Sequence, residues 1–126
     1  MKRCAAGAVL LAALILLGAA SSLWTKTNLE PLEIALEQAA EASFQENWAE
    51  KTALTESVRA EWERCRRISG ILFSQQTVEE IDSLFGRLRL WQQARDGTAW
   101  ALDCLVLSSR FRAMQDSQTL QLLHLL

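Results

Sequence analysis

Of the side chains in this 126-residue chain, Cys65 has the surroundings that best suit a nucleophile. Arg64, Arg66 and Arg67 flank it in "ERCRR", and neighbouring cations lower a thiol's pKa and favour the reactive thiolate. The chemistry would also need a base, and the single histidine, His124, stands far away in sequence, among the terminal leucines. Glu61 with Glu63, and Glu79 with Glu80, could in principle divide acid and base roles. Each pair reads more simply as surface charge or as charge at a helix start. Glycine-rich phosphate loops are absent, and one histidine with scattered cysteines gives a zinc ion no ligand set. The residues therefore predict a non-enzymatic protein with no cofactor and no metal.

The tryptophans are the other chemically loud feature. Trp48 and Trp62 lie fourteen positions apart in "NWAEKTALTESVRAEWERC", which on a helix is about four turns and places both on one line. Trp48, Thr55, Val58, Trp62, Cys65 and Leu72 continue that line at spacings of three and four or their multiples. With Trp91, Trp100 and Phe111 from later segments, the residues Trp48, Val58, Trp62 and Leu72 form the expected core seam. Large rings supply the buried area a small bundle needs. The competing role is a groove for a partner helix or a lipid.

These side chains have to be positioned by helices. One proline and five glycines among abundant Ala, Leu, Glu, Gln and Arg leave little punctuation for an all-β protein. A slightly negative formal charge of -2, without interleaved basic and aromatic residues, argues against a nucleic-acid partner. In "TNLEPLEIALEQAAEASFQEN", Asn28 is placed to cap a first bundle helix with Pro31 in its first turn. Leu29, Leu32, Leu36, Ala39 and Ser43 make its apolar stripe, and Glu30, Glu33, Glu37 and Glu41 its acidic face. The second helix carries Arg59, Arg64, Arg66 and Arg67 in its latter half, so an antiparallel pairing would bring these toward the start of the acidic helix. Thr77 with Glu80 three residues on predicts a capping box at the start of the third helix, with Val78, Ile81, Leu84, Phe85, Leu88 and Trp91 on one side. "RDGT" predicts a turn, and Trp100, Cys104, Leu107 and Phe111 one face of a fourth helix. "SQTLQLLHLL" predicts a short terminal helix that folds back on the bundle or meets a partner or membrane, with Leu120, Leu122, Leu123, Leu125 and Leu126 the candidate contact.

Ahead of all this, "MKRCAAGAVLLAALILLGAASSLW" sets Lys2 and Arg3 before an uncharged apolar run that reaches Trp24, long enough to cross a bilayer. Basic residues at the start keep the N-terminus cytoplasmic and place the remainder outside, with Trp24 in the interfacial belt. The rival is a signal peptide cleaved near Gly18 and Ala20, and the length of the run favours an uncleaved anchor. The expected organisation is an anchor over 1–24, a joint over 25–28 and an extracytoplasmic bundle over 29–126. Its fold class is all-α: a transmembrane helix, then a four-helix antiparallel bundle of two hairpins, then the short C-terminal helix. In that compartment a bridge between Cys65 and Cys104 is open, beside the simpler role of small buried hydrophobes.

Together, the anchor, "NWAEKTALTESVRAEWERC", "SQQTVEEIDSLFGRLRLW" and "RFRAMQDSQTLQLLHLL" resemble the small membrane-associated helical proteins of Gram-positive bacteria classed as the domain of unknown function 4363 family. That family typically has a histidine and an aspartate just before the third helix and an asparagine near the terminus. Gln75, Thr77 and His124 occupy those places here. The resemblance implies a membrane-associated helical protein and supplies no reaction. The functional expectation is a membrane-anchored accessory or interaction module with a membrane-protein partner. The alternative is a secreted or membrane-associated carrier of a lipid or other apolar ligand.

Overall fold

The computed structural model describes residues 2–41 and 47–125, and all of its regular structure is helical. Helix α1 runs Lys2–Glu41, α2 Trp48–Leu72, α3 Gln75–Ala94 and α4 Gly97–Leu125. They form an antiparallel four-helix bundle in which α4 packs along α1 more extensively than any other pair. Each buried seam alternates steps of three and four. In α1 it is Thr25, Leu29, Leu32, Leu36 and Ala39; in α2, Thr55, Val58, Trp62, Cys65 and Ser69; in α4, Trp100, Cys104, Leu107, Phe111 and Met114. A repeat of 3.5 residues keeps a seam facing its neighbour over many turns, the packing of left-handed bundles. Helix α3 contributes Val78, Ile81, Leu84, Phe85 and Leu88. At the centre the rings of Trp62 and Phe111 meet edge to face, 5.6 Å between centroids.

Two expected breaks do not occur. The anchor and the first bundle helix are a single helix of 40 residues, about 60 Å long. "TKTN" contains no glycine or proline, and its polar side chains turn back on their own helix. Thr25 Oγ1 donates to the Ser21 carbonyl at 2.8 Å and Asn28 Nδ2 to the Trp24 carbonyl at 2.9 Å, so Asn28 caps nothing. Pro31 lies inside α1 instead of opening a helix. Likewise the fourth helix and the expected terminal helix are one, α4. "MQDSQTL" also lacks a breaker, Gln118 is buried, and Thr119 Oγ1 donates to the Gln115 carbonyl at 3.2 Å. Among the described residues there are thus four helices, the first of them containing the expected anchor, where five and a short sixth were expected.

The helix ends explain the remaining boundaries. Asn47 caps α2: its Oδ1 accepts from the Glu50 amide at 3.2 Å. Helix α3 starts at Gln75 because Ser74, extended in backbone, accepts at Oγ from the Thr77 amide at 3.2 Å. The expected cap at Thr77 is therefore shifted by one turn, and Thr77 sits inside the helix. Arg95 adopts the left-handed conformation (φ 57°) that ends α3, and Asp96 Oδ1 accepts from the Ala99 amide at 3.1 Å to start α4. Ser43 and Leu126 lie outside the described residues.

Candidate functional site

Polar chemistry inside the bundle concentrates in two similar clusters. Trp62 on α2 donates its indole N–H to Asp82 Oδ1 on α3 at 2.8 Å, and Arg66, one turn after Trp62, donates to the other carboxylate oxygen at 2.9 Å. Trp91 on α3 donates to Asp103 Oδ2 on α4 at 2.6 Å, and Arg87, one turn before Trp91, pairs with Asp103 Oδ1 at 3.1 Å. In both, an i, i+4 Trp/Arg pair on one helix clasps a single carboxylate on the next. Each carboxylate has both oxygens engaged, so neither is free to act as a base. These are pins between successive helices. Asp103 is the deeper, its side chain 7% exposed against 31% for Asp82.

A third cluster caps the upper end, where α2 and α4 begin. Lys51 Nζ lies 4.5 Å from the Trp48 ring centroid and 5.4 Å from that of Trp100, and the Arg95 guanidinium lies 5.7 Å from Trp48. Ammonium against aromatic faces is favourable where water is excluded, as it is around the buried Lys51. The Trp100 indole N–H itself has no acceptor among the described residues.

Of the expected seam, Val58, Trp62, Trp100 and Phe111 are buried, while Trp48 and Trp91 are half-buried against the same core and Leu72 is half-buried at the end of α2. Trp24 also packs against the core from α1. Cys65 departs from the expectation of a lowered pKa. Burial pushes its thiol up, and this outweighs the pull of Arg64. The flanking guanidiniums are spent elsewhere: Arg64 on Glu61 in its own helix at 2.7 Å, Arg66 on Asp82. Cys104 is pushed up to about 12, chiefly by burial and then by the neighbouring Asp103 charge. Both cysteines are free. Because Trp62 meets Phe111 on the parallel helix α4, Cys65 is level with Met114, ten residues beyond Cys104. That is about 15 Å of helix rise, too far for a bridge.

The acidic face of α1 turns to α4 and not to the arginines of α2. Gln115 Nε2 donates to Glu33 Oε2 at 2.8 Å, with Arg112 3.9 Å from Glu33. Beside them runs a groove lined by Lys26, Glu33, Glu37, Arg112 and Asp116 among others. Its walls are polar and charged, unsuited to an apolar ligand. Among the described residues no group of His, Cys, Asp or Glu is arranged to hold a metal ion.

Against protein-family models, curated proteins and solved structures, the chain has no match. Assignment of a role therefore falls to its surface. Leu102, Leu105 and Val106 are exposed along the outward face of α4, and Leu120 and Leu123 continue exposed toward its end. The side chains of Leu122, His124 and Leu125, and all of Leu126, lie outside the described residues. Sequence reasoning missed the two aspartates, although an i, i+4 Trp/Arg pair preceding an Asp on the next helix was a visible signal.

Proposed function

We propose that this protein is a single-pass membrane protein whose helical bundle stands on the extracytoplasmic side and serves, without catalysing a reaction, as an accessory module for another membrane protein. One observation carries the reading. Helix α1 is long and apolar enough to cross a membrane, no residue of its most apolar stretch is buried, and the same unbroken helix supplies the bundle with Leu29, Leu32 and Leu36. Such continuity holds the bundle at a fixed height and orientation over the bilayer, as suits a module that must present one face to a neighbour. The outward face of α4, with Leu102, Leu105 and Val106, is the proposed contact, since these exposed aliphatic side chains adjoin one another on a single helix face and such a cluster favours a protein partner.

The carrier alternative draws little support from the described grooves, whose linings are mostly polar or charged, with Trp62 and Phe85 the large apolar side chains in one of them. Photocrosslinkers placed at Leu102 and Leu105 in the full chain, expressed in its native membrane, test the proposal. A discrete adduct with one membrane protein, not formed from the exposed Glu63 of α2, is the expected result. Recovery of the chain in the medium without an adduct would contradict it.

A further inference from the structure

The lower end of the bundle, where α1 leaves it, is uncharged on every helix. Going toward that end, the last charged residue is Arg67 on α2, Glu79 on α3 and Asp116 on α4, and on α1 Lys26 is the last before the apolar run that separates it from Arg3. These four lie within about one turn of a common level. Lys26 and Asp116 line the same groove; Arg66 meets Asp82, one turn from Glu79; and Trp62 opposite Phe111 puts Arg67 opposite Asp116. Beyond that level, residues 68–78 and 117–125 contain no Asp, Glu, Lys or Arg. They do expose apolar side chains: Ile71 is 79% exposed, Leu123 62% and Leu120 61%, with Leu23 of α1 at 67%.

Length makes the pattern consequential. A hydrocarbon core of about 30 Å needs about twenty helical residues, which is what Ala5–Trp24 supplies. Thr119 lies across the groove from Ser22, and α4 continues six residues further, which brings its end level with about residue 16 of α1. Ile15 and Gly18 are accordingly half-buried already. If the whole bundle stood in water, only about eleven residues of α1 would remain, ~17 Å, roughly half the required span.

We infer that the uncharged end of the bundle is itself immersed in the outer leaflet, with Ile71, Leu120 and Leu123 against lipid and the ring of Lys26, Arg67, Glu79 and Asp116 at the headgroups. The inference rests on the anchor reading above and extends it. Immersion fits the residue types, because Ser, Thr and Gln among the leucines suit the headgroup and acyl boundary, and the charged ring fixes the depth. Leu120 and Leu123 are thereby assigned to lipid, and the proposed protein contact is left to the upper part of α4.

Single cysteines at Leu17, Ile71, Leu120 and Leu102, in the full chain carrying Cys4→Ser, would be labelled with an environment-sensitive fluorophore. The labelled proteins would be reconstituted into vesicles of equal parts phosphatidylcholine and phosphatidylglycerol. Emission at Ile71 and Leu120 should shift to the blue and be quenched by spin-labelled lipid, as at Leu17, while Leu102 is quenched by aqueous iodide. Lipid quenching at Leu17 together with iodide quenching at Ile71 and Leu120 would overturn immersion and leave the anchor standing. Shielding of Ile71 and Leu120 from both quenchers would mean a protein contact between copies and would also overturn it. Iodide quenching at Leu17 would remove the anchor reading itself.

Discussion

Asp103 and Asp82 perform the same task at different depths, which allows a comparison within one protein. Removing Asp103, the deeper carboxylate, takes the acceptor from the half-buried Trp91 indole N–H at a place water reaches poorly, and Asp103→Ala should cost about 2 kcal/mol. Asp82 is wetter, water can replace part of what it does, and Asp82→Ala should cost about 1 kcal/mol. Denaturant unfolding of the two variants in detergent micelles checks both the values and their order. The thiols give a second residue-level prediction. Burial, and then the Asp103 charge, pushes the Cys104 thiol up from the ordinary value of 9.0 to about 12 in the folded chain, so the unfolded state loses its proton first. Stability is therefore fully present below pH 9.0 and declines as pH rises toward 12, and Cys104→Ser should flatten that limb. Iodoacetamide at pH 8 should leave Cys65 and Cys104 unmodified until the protein is unfolded. Sequence made the tryptophans legible as packing residues, since their spacing is local. The Trp/Arg pairs at i, i+4 were visible as well, but which aspartate each would meet was not, because the pairing runs between helices and depends on register.

At the scale of the element, boundaries follow hydrogen bonds that compete over a single turn. Ser74 and Thr77 are both good caps, and Thr77 with Glu80 reads as the better motif; the extended backbone at Ser74 and its contact with the Thr77 amide decide otherwise. Ser74→Ala should cost about 1 kcal/mol, and Thr77→Ala less. Gly86 lies within α3, where an added methyl would meet nothing within 4 Å. Gly86→Ala should stabilise the bundle by about 0.5–1 kcal/mol through a less flexible unfolded chain, read from the same unfolding curves. The seams themselves were visible in sequence because alternating steps of three and four mark a helix face regardless of context. The two missing breaks were not: a polar stretch such as "TKTN" looks like a loop until Thr25 and Asn28 are seen bonding to carbonyls of their own helix.

Across the whole molecule, one unbroken helix carries both the apolar leading segment and part of the core, and this has mechanical consequences. Replacing the joint by a flexible linker, for example Thr25–Asn28→Gly-Ser-Gly-Ser, should uncouple the bundle from the span. It would also remove the buried Thr25 and the lower seam with α4. An all-helical bundle with an apolar leading segment could be read from composition and periodicity. The union of that segment with the first bundle helix could not, because no local signal distinguishes a polar joint from a polar turn of helix. The central claim is that α1 remains whole and spans the bilayer. Alkaline extraction of membranes followed by intact-mass measurement of the retained chain tests it most directly. The account predicts a chain that stays in the membrane pellet and keeps the residues before Ser21; a shortened chain starting near Ser21, free in the medium, would contradict it.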